Sequence, residues 1–144
     1  MQLCSNVYTY IYEYKESIID VTAYPDINEL LMAVDLLITD YSSVFFDYGI
    51  LRRPVIFYMY DLDFYRDELR GFYLGLDELP GPITQTQEEL EKLILEHQEW
   101  SSSEQYQEMY DHFIKRFAPY EDGHSTDRVI EIVIGKGKNE QILE

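Results

Sequence analysis

Tyrosines at positions 8, 10, 12 and 14 alternate with Val7, Thr9, Ile11 and Glu13, a period of two that predicts a strand over residues 7–14. A short β-branched run at residues 17–21 predicts another. Asp26 stands three positions before Glu29 and just ahead of Leu30, Leu31, Ala33 and Val34, the spacing of a helix N-cap with a capping box. Leu36, Leu37 and Ile38 form an apolar run too short for a helix, closed by Thr39, Asp40, Tyr41, Ser42 and Ser43. Val44, Phe45, Tyr48 and Leu51 then fall at helical spacing, and Pro54 opens the apolar run Val55, Ile56, Phe57, Tyr58. Residues 17–58 therefore read as βαβαβ, the order of a parallel sheet with covering helices.

Beyond residue 60 the pattern loosens. Leu79, Pro80, Gly81 and Pro82 make a turn that no helix or central strand crosses. From Thr86 the period is helical: Leu90, Leu93, Ile94 and His97 share one face, and Tyr106, Met109, Tyr110, Phe113 and Phe117 share the next. Asp122 and Gly123 break the chain before an amphipathic segment at residues 129–134, with a flexible tail expected from Gly135. The expected organisation is a remnant at 1–16, an α/β domain at 17–134 and the tail at 135–144.

Composition narrows the function classes. A chain of 144 residues with 46% hydrophobic and 15% aromatic side chains is long enough to bury a core. Its 28 acidic against 11 basic residues leave a formal charge of −17. That charge repels phosphate backbones and anionic headgroups at long range, so no nucleic-acid partner is expected and any bound anion needs locally arranged donors. Cys4 is the single cysteine, which permits no intrachain disulfide or cysteine-built zinc site and fits a reducing compartment. No apolar run approaches the ~18 residues of a spanning helix.

Candidate chemistry gathers where a buried strand ends in small polar residues and runs into a helix, LLITDYSSVFFDYG. Ligands of open α/β sheets bind at the carboxyl ends of the strands, and a first helical turn there offers unpaired amides and the positive end of the helix dipole. Ser42 and Ser43 are small enough for a diphosphate to approach the backbone, and they add hydroxyl donors. The plainer alternative is that Asp40 or Ser42 only caps the helix. Asp47, about one and a half turns past Ser42 at ~3.6 residues per turn, has the reach to meet a pair of ribose hydroxyls; otherwise it is a solvated helix residue.

Arg52, Arg53, Arg66 and Arg70 read either as a charged wall for a phosphorylated substrate or as surface ion pairs with Asp61, Asp63, Asp67 and Glu68. Arg70 beside Gly71 is the stronger binding candidate, because glycine admits a close backbone. His97, His112 and His124 lack metal-ligand spacing, and neither a metal nor a cofactor is expected.

The run IIDVTAYPDINELLMAVDLLITDYSSVFFDYGILRRPVIFYMYDLDFY, followed by RGFY, by Gly81 and Pro82, and by EDG at 121–123, resembles the CDP-glycerol glycerophosphotransferase family of bacterial teichoic acid synthesis. The resemblance covers most of residues 18–134. It implies part of the C-terminal, nucleotide-binding domain of a GT-B fold, a Rossmann-like parallel sheet with flanking helices. It also implies transfer of glycerol phosphate from CDP-glycerol, or of ribitol phosphate from CDP-ribitol, to a lipid-linked polyol phosphate acceptor, in the cytoplasm at the inner face of the cell membrane. By the same resemblance Thr39, Asp40, Tyr41, Ser42 and Ser43 contact the donor diphosphate, Asp47 meets the ribose, and Arg70 with Gly71 stands near the cleft. The catalytic base is expected on a histidine-proline element and domain preceding Met1, so that this chain alone turns over little. The alternatives are another GT-B nucleotide-sugar transferase or epimerase, or a non-catalytic acidic interaction module.

Overall fold

Asp26 lies in extended backbone (φ −124°, ψ 107°) and its carboxylate accepts the amide of Asn28, starting α1 (Ile27–Ala33) where the capping pattern placed it. Glu29 does not complete the box; it accepts the hydroxyl of Tyr24 instead. The computed structural model describes residues 16–62 and 74–139, so the tyrosine alternation at 7–14 lies outside the described residues. The order continues with β1 (Leu37–Thr39), α2 (Val44–Gly49) and β2 (Val55–Tyr58). After a 3-10 turn at Leu76–Glu78 follow β3 (Ile83–Thr84), α3 (Gln87–Leu95), α4 (His97–Ser101), α5 (Glu104–Phe117) and α6 (Ser125–Asn139).

The three strands form one parallel sheet in the order β1-β2-β3. Leu37 pairs with Val55 and Thr39 with Phe57, while Phe57 also faces Ile83. β2 is thus central, and its Val55, Ile56 and Phe57 are fully buried, as a strand covered on both faces requires of a continuous apolar run.

Two elements differ from expectation. Residues 17–21 form no strand: the Asp20 carboxylate accepts both the amide (2.9 Å) and the hydroxyl (2.6 Å) of Thr22, and the amide of Tyr24 donates to the carbonyl of Val21. Local side-chain bonds therefore turn the backbone before a ladder is made. The second is a strand the pattern did not give: the Leu79–Pro82 stretch is the turn expected, and β3 follows it directly. Pro82 needs no donor there, because its carbonyl accepts the amide of Phe57 at 2.9 Å and Thr84 accepts that of Met59 at 2.8 Å. Gly81 lies against β2 with no room for a side chain.

The predicted helical faces hold. Thr86 and Ser103 cap α3 and α5 through their hydroxyls. Tyr106, Tyr110 and Phe113 are buried along one stripe of α5, with Leu90, Leu93, Ile94 and His97 half-buried before it. Gly123 takes the left-handed conformation (φ +82°) that breaks the chain ahead of α6. That helix runs past Gly135 to Asn139 rather than loosening at the glycine.

The core joins β2 to α2 and α5 through aromatic rings: Phe45 meets Phe57 edge-on at 5.2 Å between centroids, and Phe46 stacks on Phe113 at 5.8 Å. Three buried tyrosines tie distant loops together with their hydroxyls. Tyr48 donates to the Val34 carbonyl at 3.2 Å, Tyr106 to Pro80 at 3.2 Å and Tyr110 to Arg53 at 3.1 Å. Burial raises all three phenols above their ordinary value. At high pH the unfolded chain ionises these groups while the fold keeps them neutral, so the unfolded state binds fewer protons. Stability therefore falls as pH rises past about 10. Urea midpoints measured from neutral pH to about pH 11 should show this decline, and Tyr110→Phe should make it shallower.

Candidate functional site

The polar residues that close β1 form an open shoulder. Thr39 and Tyr41 are half-buried, while Asp40, Ser42 and Ser43 are exposed. Asp40 accepts the amide of Ser42 at 3.2 Å, and the Ser42 hydroxyl accepts the amide of Val44 at 3.4 Å, the far end of hydrogen-bonding distance. Asp40 thus closes a turn ahead of the helix, and only Ser42, one residue before the N-cap Ser43, reaches a helical amide. Ser43 is the N-cap of α2 (φ −67°, ψ −3°) and makes no side-chain capping bond.

Beside the shoulder, an open cleft of about 330 Å³ is lined by Ile38, Thr39, Asp40, Tyr58 and Tyr60. It lies at the carboxyl ends of β1 and β2, where open α/β sheets bind ligands. The Tyr41 hydroxyl donates to Asp61 at 2.8 Å, tying the end of β1 to the segment that leaves β2. Partial burial, followed by that bond to the carboxylate, raises the Tyr41 phenol far above its usual range, so Tyr41 acts as a neutral donor and strut.

The structure brings Thr39 and Asp40 into the cleft lining; Ser42, Ser43 and Asp47 are outside it. Asp47 is exposed in the first turn of α2. Arg70 and Gly71 lie outside the described residues, as does Arg66. The charged wall loses its other two members. Arg53 donates from Nη1 to the carbonyls of Met32 (2.8 Å) and Val34 (2.6 Å), satisfying the open C-terminus of α1. Arg52, at φ 54°, pairs with Asp111 at 2.6 Å. Both guanidiniums serve the fold because the connection from α2 to β2 is short and leaves their side chains against α1 and α5. Sequence reasoning missed Tyr58 and Tyr60 as cleft residues. The available signal was the rule already applied to β1, which holds equally for the end of a second parallel strand.

Residues 3–135 match the family described as CDP-Glycerol:Poly(glycerophosphate) glycerophosphotransferase. The chain belongs to this family. Among relatives of this glycerophosphotransferase family, a teichoic acid glycerol-phosphate transferase of Staphylococcus aureus (strain NCTC 8325 / PS 47) is 44% identical over 128 residues, covering 88% of this chain and 32% of the relative. A teichoic acid poly(ribitol-phosphate) polymerase of Bacillus spizizenii is 35% identical over 132 residues, covering 91% and 20%. The structure of the wall teichoic acid polymerase TagF superposes with a TM-score of 0.73 at 41% identity, over 93% of this chain and 32% of that one. A TagF variant soaked with CDPG superposes with a TM-score of 0.74 at 41% identity, over 100% and 35%. The chain thus spans about a third or less of the length of these relatives. Its fold class is the expected one, a parallel sheet with flanking helices belonging to the GT-B arrangement of TagF. No helix among the described residues is long and apolar enough to cross a membrane.

Proposed function

We propose that this chain is the donor-binding part of a transferase that moves glycerol phosphate from CDP-glycerol to the hydroxyl end of a lipid-linked polyol phosphate. The observation that carries the reading is the position of the T-D-Y-S-S turn at the carboxyl end of a parallel strand beside an open cleft, with its Asp40, Ser42 and Ser43 exposed. Ser42 and Ser43 offer hydroxyls and the first amides of α2 to the diphosphate; Thr39, Asp40 and Tyr41 shape the adjoining wall. Asp47, one turn on, accepts ribose hydroxyls, and Arg70 with Gly71 completes the phosphate side. The acceptor oxygen attacks the β-phosphorus, the bond from that phosphorus to the bridging oxygen breaks, and CMP leaves with the electron pair. The acceptor proton passes to a base contributed by the rest of the enzyme. Catalysis on this chain's side is positioning and stabilisation of charge at the leaving phosphate.

Glycerol is favoured over ribitol because the glycerol-phosphate relative is the more similar of the two described above. An acceptor carried on lipid places the enzyme at the inner face of the membrane. The reading is tested by melting the chain in millimolar CDP-glycerol, CMP and a UDP-sugar. Binding to the folded state at ten times Kd adds about 1.4 kcal/mol, so CDP-glycerol should raise Tm and the UDP-sugar should not. Equal shifts with both nucleotides would replace the reading by a general nucleotide-sugar enzyme, and no shift with any would leave an interaction module.

A further inference from the structure

The backbone pairing of β1 with β2 ends where Thr39 meets Phe57. Beyond that edge one segment enters the turn that carries Ser42 and Ser43, and the other leaves β2. A side-chain bond spans them there. The Tyr41 hydroxyl donates to Asp61 at 2.8 Å, across 20 positions of sequence, and both residues are half-buried.

The two ends of this bond are not held alike. On the Asp61 side the backbone is anchored: the Met59 amide donates to the Thr84 carbonyl of β3 at 2.8 Å, the Leu62 amide closes a turn onto the Met59 carbonyl at 3.1 Å, and the side chains of Met59 and Leu62 are buried in the core. Asp61 sits between these two anchored residues. On the other side the turn's own bonds are longer, 3.2 Å from the Ser42 amide to Asp40 and 3.4 Å from the Val44 amide to the Ser42 hydroxyl, and Asp40, Ser42 and Ser43 are exposed. A short bond to a carboxylate on a fixed point constrains this turn more than its long local bonds do.

Charge gives Asp61 no service at an anion site, since a carboxylate near a diphosphate repels it. Its service there is geometric. Hydrogen-bond donors fixed in place before an anion arrives bind it more tightly than donors that are ordered only on binding.

We infer that Asp61 is a positioning residue: acting through Tyr41, it fixes the turn at 39–43 and with it the affinity of that turn for the diphosphate of the nucleotide. The effect on affinity rests on the proposed transferase reading; the hold on the turn does not.

The test uses the 144-residue chain and the variants Tyr41→Phe, Asp61→Ala, the two combined, and Asp61→Asn, which keeps a side-chain carbonyl able to accept the Tyr41 hydroxyl. Without ligand, Asp61→Ala should shift the amide NMR signals of Ser42 and Val44, far along the chain from the substitution, and Asp61→Asn should leave them close to their parent positions. Calorimetric titration with CDP-glycerol should show about tenfold weaker binding in Tyr41→Phe and in Asp61→Ala. The double variant should lose nothing further, because the second change removes no additional bond, and Asp61→Asn should stay within about threefold of the parent. Thermal melts establish that each variant is folded. Losses that add in the double variant, or a loss in Tyr41→Phe without one in Asp61→Ala, would make Tyr41 a direct contact of the nucleotide and overturn the inference. Asp61→Asn binding as weakly as Asp61→Ala would overturn it too, by assigning the effect to the charge. If the parent chain does not bind CDP-glycerol, the donor reading fails and the amide signals decide alone: movement in Asp61→Ala but not in Asp61→Asn upholds the hold on the turn, and no movement ends it.

Discussion

Gly81→Ala is expected to destabilise the chain by more than about 3 kcal/mol, the upper end of what overpacking a core costs. A Cβ built at Gly81 would stand 2.0 Å from the carbonyl oxygen of Val55 and 2.9 Å from its carbon. The obstacle is backbone of the central strand, with Val55 fully buried, so no rotamer change relieves it. The turn cannot swing away either. Pro80 and Pro82 restrict φ on both sides, the Tyr106 hydroxyl holds the Pro80 carbonyl, and the Pro82 carbonyl accepts the amide of Phe57. Relief requires parting β2 from β3. Urea unfolding of the variant against the parent measures the effect; a loss below about 0.5 kcal/mol, the range of an ordinary surface substitution, would show that the strands do not approach as described.

The largest functional effect is expected from Ser42→Leu combined with Ser43→Leu, a drop in CDP-glycerol affinity on the order of 100-fold, equal to ~3 kcal/mol. Both side chains are exposed, so the added bulk faces the approaching diphosphate rather than the core and the fold should persist. Single alanines separate structure from binding. Ser42→Ala removes the long bond to the Val44 amide and should cost up to about 1 kcal/mol of stability. Ser43→Ala removes a hydroxyl that caps nothing and should lower donor affinity while leaving the melt unchanged. Calorimetric titration with CDP-glycerol, paired with a thermal melt of each variant, decides the matter. Undiminished donor affinity in the double leucine variant would end the assignment of this turn to the diphosphate.

Much of the molecule was legible along the chain because its signals are local. Asp26 and Thr86 start helices through bonds to amides two or three residues away, and the apolar run opened by Pro54 forms β2 as the strand-helix order expected. The strand-turn-helix at residues 37–49 was legible on the same grounds, and with it the shoulder formed by Thr39, Asp40, Tyr41, Ser42 and Ser43. Where local signals competed, the pattern misled: the β-branched residues at 17–21 suggested a strand, but Asp20 captured the Thr22 amide first.

The sequence by itself determined where helices begin and which small polar residues end the strand before α2, since each follows from contacts within a turn or two of chain. Tertiary structure alone decided the fates of Arg52 and Arg53, whose partners lie 59 and about 20 positions away. It also decided the pairing of β3 through Pro82 and the meeting of Tyr58 and Tyr60 with Thr39 and Asp40 in one cleft. Those depend on which surfaces the sheet and α5 bring together, and hydrophobic periodicity encodes that a face is buried without encoding what buries it.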